Sequence, residues 1–507
     1  MSFFKKTLAV LSAMLLLCTA VAPPAQALSV REENELAREF LRAVNDYYDV
    51  IDDHIINDYI HSLGERLTQP APGQPFTFKF YVIREDTFNA FAGPGGNIFI
   101  FSGLIEAMDT ENELAAIMAH EIAHVTSRHI RDMIDRSKKT GIASMAGVIA
   151  GILVGLGGAP TAGTALSMGS LAAGQSMILA YSRENELQAD FFGRKFLVDA
   201  GFDEYGAFSA LQKIRSREWF GEDVIPTYLK THPATSERMA RIGNAIEKDP
   251  AALRNSYEYD RTRMRIMALY GKRGNALDRL RRMARNQPDD PAVQYGLGLA
   301  LSEGGSPEKG IFHLKKAISL KPDDPIIATA LGRAFFLAGE NRSAIQTLEE
   351  IDNIAQYGPE GLRTLGRVQM EGKKSTEAIA TFKKLLEHYP NDRQSLLFLG
   401  QSLGEEGRIG EAHYFLGRFH KAQGDVKNAL FHFNQALSHT QDPGKEAELK
   451  EAIQEIKNAP RKPIKPEEGE GPEERNGLRL IETGKFHGEG APPLGRGAQR
   501  GRITEHF

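Results

Sequence analysis

The first half of the chain alternates between helical and strand-like patterns of hydrophobic positions. Residues 30–70 carry two amphipathic helical patterns, in which apolar residues recur every three or four positions. Residues 75–83 alternate and are rich in Phe, as is typical of a strand, and residues 97–101 form a second such run after a Pro-Gly-Gly turn. Helical patterns dominate from there to about residue 250. The pattern therefore predicts an α+β domain that is mostly helical and contains a small sheet.

The second half of the chain repeats itself with a constant period. Four Leu-Gly pairs mark a period of 34 residues, at 297–298, 331–332, 365–366 and 399–400. This period, with small residues where paired helices meet, is the tetratricopeptide pattern. We count about four full repeats from 258 to 392, further helices to about 440 and a charged capping helix at 444–457. The sequence thus predicts an all-α solenoid, a type of surface that binds peptides or other proteins.

An apolar stretch opens the chain. Lys5 and Lys6 precede a run without charge that extends to Val21, and Ala25-Gln26-Ala27 is a small-x-small cleavage site. We interpret residues 1–27 as a secretory signal peptide.

A second uncharged stretch, residues 140–182, is rich in Gly and Ala. Its apolar parts are shorter than the roughly twenty residues that a spanning helix needs, and Gly157-Gly158-Ala159-Pro160 interrupts them. Two interpretations stay open. Residues 141–180 form either a buried hairpin over the active site or a patch that touches a membrane surface or a hydrophobic partner.

Charge and cysteine content narrow the function classes. The formal net charge is −4, and removal of residues 1–27 would make it −6, which does not indicate a nucleic-acid-binding protein. Cys18 is the only cysteine and lies inside the predicted signal peptide. The mature chain would therefore form no disulfide, even in an oxidising compartment. The last stretch, residues 458–507, is rich in Pro, Gly and charge and is expected to be disordered.

The strongest chemical signal is the segment His120-Glu121-Ile122-Ala123-His124. On a helix, residues four apart share one face, so both imidazoles can bind one metal ion. Glu121 lies where it can act as general base toward a water molecule at that metal. The helical pattern begins at Glu111, and no Pro or Gly interrupts it before residue 140.

A second helical pattern, from Tyr181 to a stop at Gly201, offers the third ligand. Glu186 and Asp190 are four residues apart and share one face. Glu186 would complete a His, His, Glu set, and Asp190 could accept the remaining ring N–H of a ligand histidine. Taken alone, such an acidic pair is usually a solvated helix face; beside the histidine motif it indicates a metal site.

Four motifs occur in the order typical of one family. They are the segment 120–129, the segment Ser182–Asp190, the segment Phe88–Ile100 with Asn-Ala-Phe-Ala and Pro-Gly-Gly, and Thr231-His232-Pro233 followed by Arg238. Over about residues 30–250 the chain resembles the HtpX and CAAX-prenyl-endopeptidase family of zinc metallopeptidases. The repeats that follow make the layout similar to that of soluble periplasmic members.

The resemblance implies a gluzincin-like zinc metallopeptidase domain at 28–255 and a tetratricopeptide domain at 256–457. It implies one Zn²⁺ per chain, held by His120, His124 and Glu186. For His232 two roles stay open: it stabilises the oxyanion, or it takes the fourth metal position and holds the enzyme idle. Arg238, like Asp190, would support the ligands or the oxyanion. The expected substrate-binding strand consists of Gly95, Gly96, Asn97, Ile98 and Phe99.

The expected function is that of a periplasmic zinc endopeptidase that degrades misfolded or stalled envelope and outer-membrane proteins. Its repeats would recruit protein substrates or the outer-membrane assembly machinery. The first alternative is a chaperone or scaffold for outer-membrane protein assembly whose peptidase is largely latent. The second is an integral membrane peptidase, which the Gly-Pro interruption disfavours. Because all proposed ligands precede the repeats, a chain ending near residue 255 is expected to retain the metal and cleave a flexible peptide.

Overall fold

The computed structural model describes residues 30–139, 181–215, 228, 232, 236–244 and 255–458. The predicted signal peptide, most of the uncharged stretch 140–182 and the predicted disordered tail lie outside these residues. The fold class is confirmed: a mostly helical domain with one small sheet precedes a series of paired helices.

The chain begins with the two predicted amphipathic helices, α1 (Val30–Tyr47) and α2 (His54–Thr68). Asp53 caps α2, because its carboxylate accepts hydrogen bonds from the backbone amides of Ile55 and Ile56. The apolar faces of both helices are buried in the core that also encloses the sheet.

The sheet has three strands, β1 (Lys79–Ile83), β2 (Ala90–Ala92) and β3 (Asn97–Phe101). Their order is β1-β3-β2, with β1 parallel and β2 antiparallel to β3. The turn between β2 and β3 requires glycine, because Gly95 and Gly96 have φ angles of 70° and 79°. The strand predicted for residues 75–83 thus starts at Lys79, and the short strand β2 completes the predicted hairpin.

The remaining helices of the first domain surround the site. Their bounds are α3 Ser102–Ala107, α4 Glu111–Thr126, α5 His129–Lys139, α6 Arg183–Asp199, α7 Tyr205–Arg215 and α8 Ser236–Asn244. Thr110 and Glu113 form a reciprocal capping box at the start of α4. The uninterrupted pattern expected up to residue 140 breaks after Thr126, because Arg128 adopts a left-handed conformation with φ 61°. This break turns the chain into α5 directly after the motif.

The second half consists of antiparallel helix pairs. The bounds are α9 Tyr257–Tyr270, α10 Arg273–Asn286, α11 Pro291–Glu303, α12 Pro307–Leu320, α13 Pro325–Leu337, α14 Asn341–Glu349, α15 Glu360–Glu371, α16 Ser375–His388, α17 Arg393–Glu405, α18 Ile409–Gln423, α19 Val426–His439 and α20 Pro443–Asn458. The periodic glycines let the paired helices approach each other. A Cβ atom at Gly366 would lie 2.6 Å from the Phe382 ring, and one at Gly298 would lie 2.7 Å from Leu314.

Helix α9 packs into the first domain as well as into the repeats. Tyr259 is fully buried in the core of the first domain, and its hydroxyl donates to the carbonyl of Met108 over 2.7 Å. Arg263 donates to the carbonyl of Glu106 and pairs with Asp109, in the loop before α4. The peptidase domain and most of the repeats therefore belong to one compact unit, which extends to Ile453. The boundary at 255/256 stays a prediction. A chain ending near residue 255 would lack Tyr259 and so part of the first core, and its retention of the site stays a prediction.

A buried ion pair joins the first repeat helix to α2. The Arg265 guanidinium donates to both carboxylate oxygens of Asp53, to the Tyr295 hydroxyl and to Glu360. Asp53 is 7% exposed and Arg265 is 5% exposed, so water solvates neither charge well and each depends on its partner for stabilisation. The same carboxylate thus caps α2 and holds the repeats.

None of the helices described here is long and apolar enough to cross a membrane. The uncharged stretch 140–182 is not covered by this statement, because it lies almost entirely outside the described residues.

We predict that Arg265→Leu strongly destabilises the chain. The change leaves Asp53 buried without its cation, and breaking a buried pair in this way costs about 3–5 kcal/mol. The midpoint of thermal unfolding of the full chain should fall clearly below that of the parent. Arg281→Leu is the matched control, because Arg281 pairs with Asp278 on the exposed face of α10 and should change stability by less than about 0.5 kcal/mol. Equal midpoints for both variants would contradict the role given to Arg265.

Candidate metal centre

The predicted histidine motif lies in the middle of a completely enclosed helix. From Glu111 to Val125 every residue of α4 is buried, and His120, Glu121 and His124 are 6%, 0% and 0% exposed. The two imidazoles lie on one face, with their Nε2 atoms 3.0 Å apart. The sequence spacing has therefore produced the expected pair of nitrogen atoms, and it has done so away from bulk water.

Helix α6 brings Glu186 to this pair by crossing α4 closely. A Cβ atom at Gly193 would lie 3.0 Å from the Cα of His120, so a larger residue would push the helices apart. At this distance the Glu186 carboxylate reaches both rings, with Oε2 3.5 Å from His120 Nε2 and Oε1 3.5 Å from His124 Nε2.

His232 completes a group of four possible ligands. Ligand atoms of His120, His124, Glu186 and His232 all lie within 4.8 Å of one another, and all four residues are buried. The Nδ1 atom of His232 is 3.0 Å from Glu186 Oε1 and 3.4 Å from His120 Nε2. Its ring stacks on Tyr228 at a centroid distance of 4.5 Å, and its backbone amide donates to the Tyr228 carbonyl.

Asp190 and Arg238 hold the ligand-bearing side chains in place. Asp190 Oδ1 lies 3.1 Å from His120 Nδ1, on the side of the ring that faces away from the metal position. Arg238 donates to both oxygens of Asp190 over 2.7 and 2.8 Å and also pairs with Glu186. Both sides of the guanidinium are thus occupied by carboxylates. Of the two roles considered for Arg238, the geometry favours support of the ligands over contact with an oxyanion.

Three further residues, His129, Gln188 and Tyr181, belong to the site, although the sequence analysis did not assign them to it. The Nδ1 atom of His129 lies 2.9 Å from His124 Nδ1, and its Nε2 lies 2.8 Å from Gln188 Oε1. The Tyr181 ring packs over His124 at 3.8 Å between centroids. His129 reaches this position only because the chain turns at Arg128, which pairs with Glu33, and the sequence contained no signal for that turn.

The electrostatics of the cluster favour a positive charge at its centre. Burial lowers the pKa of His120, but hydrogen bonds to Asp190 and Glu186 outweigh it and raise that pKa to about 9. Burial alone would raise the pKa of Glu186, yet the neighbouring histidines hold it well below its usual range. Burial and the nearby His120 keep the pKa of His124 far below normal, so this imidazole is neutral. Without a metal ion, a proton on His120 thus balances the nearby carboxylates, and a divalent cation bound to the same group would supply that positive charge instead.

Buried polar atoms without partners show where such a cation fits. Neither carboxylate oxygen of Glu121 has a hydrogen-bond partner, and His232 Nε2 also lacks one, although all are buried. Unpaired buried polar atoms are costly, and native proteins rarely keep them without a functional reason. His120, His124 and Glu186 therefore fit a divalent metal ion, with His232 close enough to join them and Glu121 beside them without being needed as a ligand.

The predicted substrate-binding strand lies in the interior of the sheet, and its role stays a prediction. Strand β3 is the middle strand of the sheet and has partners on both sides, so Asn97, Ile98 and Phe99 have no free edge for a substrate. Ile98 and Phe99 are completely buried, and Gly95 and Gly96 form the turn before them. The edge strand that packs against α4 is β2, and its Ala92 amide is among the groups that lower the pKa of Glu121.

Comparison with known families agrees with this geometry. The family model described as peptidase family M48 matches residues 55–246, which contain all the residues of the centre. Three tetratricopeptide repeat models match residues 271–325, 362–392 and 410–439. Residues 55–246 are thus similar to the peptidase domain of family M48, and the later matches indicate tetratricopeptide repeats.

Three relatives show how far the sequence similarity extends. The β-barrel assembly-enhancing protease of Yersinia pestis is 33% identical over 49% of this chain and 51% of that protein. The protein of the same name from Escherichia coli (strain K12) is 31% identical over 54% of this chain and 57% of that protein. The mitochondrial metalloendopeptidase OMA1 of Schizosaccharomyces pombe is 27% identical over 36% of this chain and 51% of that protein. The chain spans little more than half the length of these relatives.

We predict that His124→Ala removes most of the bound metal. Loss of one of three protein ligands removes much of the affinity of such a site. Metal analysis of the purified full chain should show about one metal ion per parent chain and strong depletion in the variant. His388→Ala is the control, because His388 is exposed on α16 and should leave the metal content unchanged. Full occupancy in His124→Ala would overturn the ligand assignment.

Proposed function

We propose that this protein is a zinc-dependent endopeptidase that cleaves protein substrates, with Zn²⁺ held by His120, His124 and Glu186. The observation that carries the proposal is the buried group of ligand atoms within 4.8 Å of one another, with an unpaired Glu121 carboxylate next to it. Two histidines and one glutamate are a ligand set typical of catalytic zinc, which keeps a position open.

Bound zinc would supply Lewis acidity toward the scissile carbonyl and make a water molecule easier to deprotonate. Glu121 acts as the general base. Burial raises the pKa of Glu121, so its carboxylate takes up a proton more readily than one in water. Asp190 keeps His120 in the orientation in which its Nε2 faces the ligand group, and Arg238 fixes Asp190 in turn.

Substrate recognition is proposed for the edge of β2 that does not face β3. Ala90 and Ala92 are completely buried, so a substrate would have to displace the groups that cover this edge. Gly93 donates to Asn97, and Phe101 donates to Asn89, so the odd-numbered residues of this strand pair with β3. By the alternation of an antiparallel ladder, the backbone groups of Ala90 and Ala92 point to the opposite side. An extended substrate that pairs there would pass beside Glu121, and recognition through backbone groups places little demand on its sequence.

The cellular role is proposed from the relatives. Two of them are named as β-barrel assembly-enhancing proteases, and the order of peptidase and repeats fits such a protein. We place the protein in the periplasm, where it degrades misfolded or stalled envelope and outer-membrane proteins. The repeats recruit these substrates or the outer-membrane assembly machinery, in line with the protein-binding surfaces that helical repeats form.

A second function is favoured by one observation. His232 lies within the ligand group, 3.0 Å from Glu186 and 3.6 Å from Glu121. A ring nitrogen bound to the metal there would compete with a substrate carbonyl for the open position. A peptidase held idle in this way could act mainly as a chaperone or scaffold. Of the two roles considered for His232, we therefore propose that it occupies the fourth ligand position.

We predict that Glu121→Gln abolishes proteolysis and leaves metal content and fold intact. The amide cannot accept a proton from water, and general-base catalysis typically contributes 10²–10⁴-fold to the rate. Cleavage of an unfolded test protein should fall by at least about that factor. Glu184→Gln is the matched control, because Glu184 is exposed at the start of α6. This variant should cleave the test protein at the parent rate.

The same variant tests the cellular role. Crosslinking in cells that carry Glu121→Gln should trap envelope proteins that the parent protein degrades, and fractionation should find the complexes in the periplasm. If Glu121→Gln cleaves at the parent rate, another residue is the base. If the variant is inactive but traps only proteins of another compartment, the role of Glu121 as general base is supported and the proposed periplasmic location is wrong.

We predict that His232→Ala increases cleavage of a short flexible peptide while metal content stays near one per chain. The reason is that removal of the fourth nitrogen opens a position for the substrate. The measurement is kcat for the peptide together with metal analysis. A fall in kcat with full metal content would instead show that His232 stabilises the transition state.

A further inference from the structure

Four histidines line the contact between α18 and α19, far along the sequence from the candidate metal centre. His413 and His420 are seven residues apart on α18, and His432 and His439 are seven apart on α19. Because the two helices pack as an antiparallel pair, the rings form a continuous row. The centroid distances along the row are 6.4 Å from His439 to His413, 5.0 Å from His413 to His432, and 5.1 Å from His432 to His420.

The two outer rings of the row have their own partners. His420 Nδ1 faces the Asp425 carboxylate at 3.5 Å, and its ring stacks on His432 with an interplanar angle of 10°. His439 Nδ1 lies 2.9 Å from the Gln435 carbonyl within its own helix. These contacts direct the Nδ1 atoms of both outer rings away from the middle of the row.

The two inner rings point at each other. Nδ1 of His413 and Nδ1 of His432 are 2.8 Å apart. In the neutral state each imidazole has one N–H, so this contact is either a single N–H···N hydrogen bond or two facing lone pairs. The nearest parallel is within the same protein, where the Nε2 atoms of His120 and His124 are 3.0 Å apart in the candidate metal centre.

We propose that His413 and His432 form a second metal site, which binds a divalent late transition-metal ion, Cu²⁺ or Ni²⁺ in preference to Zn²⁺. Two nitrogens bound at about 2.0–2.1 Å lie about 2.8–3.0 Å apart when they subtend a right angle at the ion, and roughly 3.3 Å apart in a tetrahedron. The observed 2.8 Å lies within the range that one bound ion allows. The Nε2 atoms of the candidate zinc centre are 3.0 Å apart, so the preference for Cu²⁺ rests on the tighter binding of Cu²⁺ than of Zn²⁺ by nitrogen donors.

The surroundings leave the site accessible to an ion. His413 and His432 are partly exposed, and His439 and Phe431 beside them are exposed. Within the described ranges, three or more possible ligands converge only at the His120 centre, so His413 and His432 would be the two protein ligands of the second ion.

The test uses the full chain loaded with zinc. Cu²⁺ is added, unbound metal is removed by gel filtration, and copper and zinc are counted per chain in the parent, His413→Asn, His432→Asn and His439→Asn proteins. His439→Asn is the matched control, because His439 lies in the same row but points to Gln435. Electron paramagnetic resonance of bound Cu²⁺ reports the number of nitrogen ligands.

The parent and His439→Asn should each bind one copper ion in addition to zinc, with hyperfine splitting from two nitrogens. Both inner-pair variants should lose this ion and keep their zinc. If the parent protein binds no metal beyond zinc, the close contact is an imidazole hydrogen bond only and the proposal fails; this arm does not depend on how well a variant folds. Equal copper binding in all four proteins would also overturn it, and either result leaves the proposed peptidase function unaffected.

Discussion

The candidate centre depends on how closely α6 can approach α4. Gly193 leaves no side chain between the helices, and the Glu186 carboxylate therefore reaches both imidazoles of the buried motif. At this depth the carboxylates of Glu121 and Glu186 are not stabilised by water, so their charges must be balanced by a neighbour or by a bound cation. Arg238 balances Asp190 and part of Glu186, and what remains unpaired faces the position that a metal would occupy. The close crossing of α4 and α6 thus brings buried carboxylates together, and these carboxylates in turn need a cation.

The repeats are part of the same folded unit because of helix α9. Its Tyr259 and Arg263 contact Met108 and Asp109, which lead into α4, and its Arg265 contacts Asp53 at the cap of α2. Asn255, just before α9, accepts a hydrogen bond from the backbone amide of Glu111, the first residue of α4. The first repeat helix is thus tied to the start of the helix that carries His120 and His124.

Two parts of the sequence-based description depend on contacts that the sequence does not show. The boundary at 255/256 followed from the start of the 34-residue period. Such a period predicts the contacts between successive repeat helices, but it does not predict the contacts of the first repeat helix with the preceding domain. The substrate strand was placed at residues 95–99 because those residues follow the glycine turn. Strand order is a property of the folded sheet, and β1 covers one edge of β3 while β2 covers the other. Neither pairing can be derived from the alternation within a single strand.

Local spacing determined much about this protein without any structure. Residues four apart on a helix share a face, so His120 with His124 and Glu186 with Asp190 could be identified as pairs from the sequence alone. The 34-residue period likewise determined the paired helices, because their contacts recur with the chain. Tertiary structure decided what lies opposite each face: His129 beside His124 after the left-handed turn at Arg128, and Arg265 on the cap of α2. No local sequence pattern predicts these contacts, because the residues that form them come together only when the helices pack in the folded chain.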